Sequence, residues 1–290
     1  MNFQRSSTML LVFFLMALQA ISSESVFSKV ERIVAVGDIH GDFGQFVKAL
    51  RLANLLDEKN NWQGGKTHLV QVGDVLDRGP TSRKALDLLM NLQKQAELVG
   101  GKVHCLIGNH EALVMYGQYG YVHPGEFAAF GGRENFRKAF SPAGKYGQWI
   151  ASNPAVIKIN DILFVHAGIS PKYASQSIDE LNVLIQTEMK NPVLKFGIAS
   201  LDPKGPLWYR GFALNKATKA SCLSILKAYS ANKMVVGHTV TKKGIQQRYD
   251  GHFIMIDVGL SKVYQGKPAC LIVEKGKISV VTATGKKELK

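Results

Sequence analysis

Five short apolar runs constrain this chain more than any other feature, because each stops at a side chain able to hold a cation. Ile33-Val34-Ala35-Val36 runs into Gly37-Asp38-Ile39-His40-Gly41, and Leu69-Val70-Gln71-Val72 into Gly73-Asp74-Val75-Leu76-Asp77-Arg78-Gly79. Lys102 to Ile107 ends in Gly108-Asn109-His110-Glu111, and Met234 to Val236 in Gly237-His238. Val156 to Val165 reads as a hairpin-like pair of strands around Asn160-Asp161 and ends in His166-Ala167-Gly168. Short apolar runs bounded by glycine read as buried strands. Parallel or mixed sheets gather strand ends along one edge. The fold therefore has to bring Asp38, His40, Asp74, Asn109, His166 and His238 together, although they span most of the chain.

Between these runs the periodicity turns helical. Gln45 to Leu56 has Phe46, Val47, Leu50, Ala53 and Leu55 at helical spacing, and Pro80 opens a helix that runs to about Leu98 and stops at Gly100-Gly101. Ser177 to Lys190 and Lys216 to Ser230 read as further helices. Glu111 to about Trp149 is irregular and holds Tyr116, Tyr119, Tyr121, Phe127 and Phe130. It reads as helices and loops beside the mouth of the site. Aromatics at this spacing are ordinarily core, with a grip on a ring-bearing substrate as the weaker alternative. Pro203 to Gly211 is a polar loop with Trp208, Tyr209 and Arg210. Strands return at Phe253 to Val258, Ala269 to Val273 and Ile278 to Ala283. Strand–helix alternation followed by strands predicts an α/β fold, two sheets with helices outside.

The ends of the chain and its charge set the context. Arg5, an apolar run from Met9 to Leu18 and small residues to Ser25 have the three-part layout of a secretory signal peptide. The run is short for a membrane span, which takes about 20 apolar residues. Cleavage after Ala20, Ser22 or Ser23 is expected, with residues 1–23 as the signal peptide and 24–290 as one domain. The expected location is periplasmic, secreted or lumenal, with no stable membrane span after cleavage. A formal net charge of +14 favours anionic partners. The lysines are scattered and form no basic arm, so no nucleic acid is expected. Lys286, Lys287 and Lys290 read as a solvated tail. The three cysteines, Cys105, Cys222 and Cys270, do not make a disulfide framework and read as buried thiols, a Cys222–Cys270 bridge being the alternative.

The strand-end donors are carboxylates, imidazoles and one amide, without a thiolate. That set suits divalent manganese, iron or zinc. Asp38 and His40 are expected to hold one ion, and Asn109, His166 and His238 a second, with Asp74 bridging. Two such ions lower the pKa of a bridging water and neutralise phosphate oxygens, so that a hydroxide attacks phosphorus directly. Arg78 and Arg210 are expected to clamp phosphate oxygens, with Asn109 beside them. His110 follows a ligand and is expected to protonate the leaving oxygen, oriented by Asp77. His68, His104, His123 and His252 read as ordinary satisfied core histidines, and Asp161 and Asp250 as turn residues. Asp257 sits at a strand end that could reach the site, but a structural use is expected.

Gly-Asp-Ile-His-Gly, Gly-Asp-Val-Leu-Asp-Arg-Gly, Gly-Asn-His-Glu, His-Ala-Gly and Gly-His-Thr occur here in the order of the calcineurin-like metallophosphoesterases. The Asp-Arg-Gly and Gly-Asn-His-Glu forms resemble the phosphoprotein phosphatase branch. The chain departs from the eukaryotic serine/threonine enzymes at Asp257-Val-Gly-Leu-Ser261, where those carry Ser-Ala-Pro-Asn-Tyr-Cys. Together with the signal peptide and the region after Gly-Asn-His-Glu, this resembles a Shewanella-like protein phosphatase. The resemblance implies a central β-sandwich flanked by helices and the roles given above. It also implies a phosphoprotein or phosphopeptide substrate, on tyrosine or serine/threonine, and poor sensitivity to inhibitors that need the missing block. Two other functions compete. His-Ala-Gly-Ile also resembles the diadenosine polyphosphate hydrolases, which usually lack the counterpart of Asp77. A non-catalytic anion-binding protein is disfavoured because every proposed ligand is intact.

Overall fold

The computed structural model describes residues 24–192 and 199–289. Residues 1–23 and Lys290 lie outside that range, and with them the segment read as a signal peptide. Among the described residues no helix is long and apolar enough to cross a membrane.

In chain order the first strands are β1 (Val26–Phe27), β2 (Arg32–Val36), β3 (His68–Gln71), β4 (Lys102–Cys105), β5 (Val156–Ile159) and β6 (Ile162–Val165). There follow β7 (Lys233–Val236), β8 (Gln246–Arg248), β9 (Phe253–Met255), β10 (Ala269–Glu274), β11 (Lys277–Thr282) and β12 (Gly285–Glu288). The helices are α1 (Phe43–Leu52), α2 (Ser82–Glu97), α3 (Asn109–Met115), α4 (Pro124–Ala129), α5 (Arg133–Ala139), α6 (Lys145–Ser152), α7 (Ile178–Lys190) and α8 (Lys219–Ala228). The strands form two six-stranded sheets, ordered β12-β11-β10-β2-β3-β4 and β1-β5-β6-β7-β9-β8. Both sheets are mixed, and helices α1, α2 and α7 pack against them, which makes this an α/β fold of the expected kind.

The site is positioned by register. β2, β3 and β4 run parallel, with Val36 beside Gln71 and Gln71 beside Cys105. In the second sheet β6, β7 and β9 are parallel, with Val165 beside Val236 and Val236 beside Met255. The loops leaving these strands therefore emerge level with one another within each sheet. Strands buried on both faces favour unbroken apolar sequence, which is why β6 is Ile-Leu-Phe-Val and fully buried.

Local signals account for the helix ends. Ser177 and Glu180 form a reciprocal cap at the start of α7, the Ser177 hydroxyl accepting from the Glu180 amide at 3.2 Å and Glu180 accepting from the Ser177 amide at 2.7 Å. Pro80 does not open α2. Thr81 is the N-cap, and its hydroxyl donates instead to the Gly41 carbonyl at 2.7 Å, tying this turn to another loop. Sequence reasoning misses β1, β8 and β12, which are short or polar. β12 includes two of the three lysines read as a tail. Its residues are all exposed, and Lys286 and Lys287 occupy a sheet edge where charge discourages pairing with another chain.

Far from the strand ends, Phe27 packs its ring against His104 at 4.6 Å and His68 at 5.5 Å, joining the two sheets. His68 Nδ1 and His104 Nε2 are 3.1 Å apart. Burial, with the neighbouring His68 and Lys102, pushes His104 from 6.5 down to about 3. The unfolded chain therefore binds the extra proton between those values. Stability from this group is present above pH 6.5 and is lost as pH falls toward 3, at up to ~1.4 kcal/mol per pH unit. We expect the loss of unfolding free energy between pH 6.5 and 4.5 to be smaller in His104→Leu than in the parent chain, by about 2 kcal/mol. Parallel pH profiles in urea titrations would contradict this assignment.

Candidate active site

Two loops build the floor of the site. The amides of Ile39 and His40 both donate to the Asp74 carbonyl at 2.9 Å, Gly41 donates to Val75 at 2.9 Å, and Gly79 donates to His40 at 3.0 Å. The loops touch so closely that a Cβ on Gly41 would lie 2.4 Å from the Gly79 carbonyl oxygen, and one on Gly79 2.6 Å from that of Gly41. Both positions therefore require glycine. His40, Asp74, Asp77, Arg78 and His238 all adopt positive φ, between 43° and 70°. Such backbone is uncommon for side chains of this kind and persists only where surroundings enforce it.

Glu111 enforces it. One turn into α3, its carboxylate accepts from the amides of Gly108 and Asp74, each at 2.8 Å, and from Val75 at 2.9 Å and Leu76 at 3.2 Å. The loop after β3 is thus wrapped around a buried anion. The motif match includes Glu111 without revealing this role.

The side chains above this floor crowd their polar atoms together. His40 Nδ1 donates to the Leu76 carbonyl at 3.0 Å, which turns Nε2 toward Asp74 Oδ2 at 3.7 Å and Asp38 Oδ2 at 3.9 Å. His166 Nδ1 donates to the Val72 carbonyl at 2.8 Å. Its Nε2 faces Asn109 Oδ1 at 2.9 Å, His238 Nδ1 at 3.2 Å and Asp74 Oδ2 at 3.4 Å. Among the described residues, Asp74 is common to both groups of three whose ligating atoms lie within 4.8 Å, His40–Asp74–His110 and Asp74–His166–His238.

Burial pushes His40 down to about 4 and His238 to about 2, so both rings are neutral near pH 7. Burial would raise Asp74, but His166 and His110 hold its carboxyl well below the usual range. Asp38 is pushed well up by burial and then by Asp257 and Asp74. With His40 and His238 neutral, the crowded carboxylates are short of compensating positive charge. His166 Nε2, His238 Nδ1, Asn109 Oδ1 and Asp74 Oδ2 converge on one spot, and buried His238 Nε2 has no hydrogen-bond partner, an orphaned lone pair that a cation would satisfy. The donor set and these contacts fit a pair of divalent ions.

The pocket over these donors has a volume of about 470 Å³ and is lined by His40, Asp74, Arg78, Asn109, His110, Arg210 and His238, among others. Arg210 donates to the His238 carbonyl at 2.7 Å and to Thr239 Oγ1 at 2.9 Å. Arg78 lays its guanidinium over the Tyr121 ring at 4.2 Å. His110 Nδ1 lies 2.6 Å from Asp77 Oδ2, and His110 Nε2 lies 3.9 Å from Asp74 Oδ2. Burial lowers the His110 pKa, but Asp74 and Asp77 outweigh it and the net shift is upward. All the side chains singled out in the sequence thus meet at one pocket, with Asp38, Asp77 and fully buried His166 beneath its lining.

A family model described as calcineurin-like phosphoesterase matches residues 31–242. The chain belongs to the calcineurin-like phosphoesterases. It is 32% identical over 275 residues to Shewanella-like protein phosphatase 1 of Plasmodium berghei, covering 89% of this chain and 76% of that one. An uncharacterized protein of Schizosaccharomyces pombe is 34% identical over 256 residues, covering 84% of this chain and 77% of the relative. Among solved structures, the cold-active protein-tyrosine phosphatase of a psychrophilic Shewanella species superposes with a TM-score of 0.85 at 28% identity, covering 92% of this chain and 83% of that one. Within the calcineurin-like family the chain is similar to the Shewanella-like protein phosphatases.

Sequence reasoning set aside one carboxylate that this phosphoesterase fold brings to the pocket. Asp257 follows β9, the parallel neighbour of β7, and lines the cavity. Its Oδ1 accepts from the Gly259 amide at 2.8 Å, while buried Oδ2 has no hydrogen-bond partner. Burial, with Asp74 nearby, pushes it up to about 6. The signal was present, since Phe253 to Ile256 is a sixth apolar run that ends in a carboxylate. Trp208 and Tyr264 also face the pocket, with rings 6.0 Å from His238 and 5.4 Å from His40. His68, His104, His123 and His252 do not line it. The three cysteines are buried and free, so Cys222 and Cys270 are not bridged.

Glu111→Gln would aim an amide N–H₂ at amides that need an acceptor. Hydrogen bonds to a charged group are worth about 1.5–3 kcal/mol, so we expect a stability loss of ~3 kcal/mol in urea unfolding. A change below ~1 kcal/mol would show that Glu111 does not hold the loop.

Proposed function

We propose that this phosphoesterase is a metal-dependent protein phosphatase that hydrolyses phosphomonoesters on tyrosine in preference to serine or threonine. The observation that carries the reading is Asp74, whose carboxylate is shared by both donor groups under a pocket that also presents two arginines and a buried His–Asp pair. The names of two relatives support the substrate class, one a protein phosphatase and one a protein-tyrosine phosphatase.

In this reading Asp38, His40 and Asp74 hold one ion, and Asp74, Asn109, His166 and His238 the other. Manganese, iron or zinc suits this donor set. When bound, the ions supply a water that ionises near neutral pH and positive charge for phosphate oxygens. Arg78, Arg210 and the Asn109 amide orient the phosphoryl group. An arginine fork matches phosphate geometry and keeps its charge at every working pH. Hydrolysis breaks the bond between phosphorus and the side-chain oxygen. That oxygen takes its proton from His110 Nε2, while Asp77 keeps hold of Nδ1 and sustains the charged ring. Tyrosine and inorganic phosphate are the products. We also propose that residues 24–290 act as one domain, directed to a secretory compartment by residues 1–23.

The test is phosphate release with manganese added, from a phosphotyrosine peptide, a phosphoserine peptide and diadenosine tetraphosphate. We expect turnover of both peptides with tyrosine preferred, and loss of it with a chelator. Turnover of the dinucleotide alone would move the chain to the nucleotide hydrolases. Asp74→Asn should lower the rate at least about 10³-fold at saturating metal, and retained turnover would overturn the shared-carboxylate assignment. His110→Asn should cost about 10²–10⁴-fold with a poor leaving group and much less with a good one. Equal losses on both would remove His110 as the proton donor.

A further inference from the structure

The two arginines of the pocket are held very differently. Arg210 is fixed by hydrogen bonds to a carbonyl and a hydroxyl. Arg78 has no such anchor among the described residues. Its Nε is buried without a hydrogen-bond partner, and its backbone sits at a φ of 70°. What holds its guanidinium is Tyr121, whose ring lies under it at 4.2 Å and whose carbonyl accepts from the Arg78 amide at 2.9 Å. The same ring packs against His110, with centroids 5.2 Å apart and planes at 63°. One side chain therefore touches both the phosphate-binding cation and the proton donor. Tyr121 is also 48% exposed at the pocket wall, where Tyr116 and Tyr119 are partly buried in the core. Core packing does not explain a large ring in this place.

We propose that Tyr121 is the positioning and specificity residue of this pocket. It sets the Arg78 guanidinium against the phosphate and supplies the aromatic wall that an aryl leaving group meets beyond His110. The specificity part rests on the tyrosine preference proposed above. The geometry follows from which atoms are committed. His110 Nδ1 is held by Asp77, so the leaving oxygen must approach Nε2. A ring attached to that oxygen then extends past His110 toward the mouth, where the Tyr121 ring packs against His110. An alkyl leaving group such as serine is too short to gain from the wall. Removing the ring should therefore weaken phosphate binding for every substrate and cost aryl substrates an additional factor.

The experiment compares the parent chain with Tyr121→Phe, Tyr121→Ala and Arg78→Ala, all loaded with manganese. Binding of inorganic phosphate is read by calorimetry, and turnover with phosphotyrosine and phosphoserine peptides. A guanidinium–ring contact changes affinity by about threefold to tenfold, so Tyr121→Ala should weaken phosphate binding by that factor. It should add little in an Arg78→Ala background. The ratio of kcat/KM for phosphotyrosine over phosphoserine should fall about fivefold in Tyr121→Ala, the scale of one aromatic contact. Tyr121→Phe keeps the ring and should restore both readouts. Unchanged phosphate affinity in Tyr121→Ala, or equal losses on the two peptides, would overturn the proposal. Should the parent chain fail to release phosphate from either peptide, the substrate reading fails, while the calorimetric arm still decides whether Tyr121 sets Arg78.

Discussion

Asp74 carries a carboxylate that is 1% exposed into the midst of His40, His110 and His166. A buried carboxylate is costly unless opposite charge and donors surround it. Here one oxygen accepts from the His110 amide at 2.9 Å, and the other is left to face three imidazoles. That division is what the rest of the site depends on. The first oxygen ties the loop after β3 to the start of α3, and the second becomes the shared vertex of both donor groups. Moving Asp74 would undo both at once.

The surrounding structure is organised to keep it there. Glu111 binds the amide of Asp74 itself and of the next two residues, so a second buried carboxylate fixes the backbone of the first. The Asp74 carbonyl in turn receives the amides of Ile39 and His40, linking the loops after β2 and β3. Five pocket residues in left-handed backbone are the visible cost. Strain of this sort collects where function needs groups pre-positioned. The parallel strands below act as a rigid base, level in register, so that six loop starts can be held to such tolerances.

Much of this was legible in the sequence because the strands are short, apolar and end in glycine. Ile-Leu-Phe-Val of β6 followed by His166 and Gly168 announces both a buried strand and a side chain at its end. What stayed hidden depended on contacts between distant residues. Nothing local in Glu111 reveals that it caps a loop from another strand, and nothing in Tyr121 reveals that Arg78 lies on its ring. Asp257 was legible in pattern but discounted, because a lone carboxylate after a strand is usually a turn residue. The polar strand β12 defeats hydrophobic periodicity, since none of its side chains is buried. α2 begins at Ser82 with Thr81 as its N-cap, and the Thr81 hydroxyl donates to the Gly41 carbonyl instead of capping the helix, a contact between distant residues that local rules cannot foresee.

The account stands or falls on Asp74 joining two cation sites rather than completing one. The most direct measurement is metal stoichiometry: the metal-stripped protein is equilibrated with Mn²⁺, freed of unbound ion, and its manganese counted per chain by elemental analysis. Two ions per chain, falling to one or none in Asp74→Ala, is the predicted result. A single ion in the parent chain at saturating metal would contradict the shared-carboxylate centre.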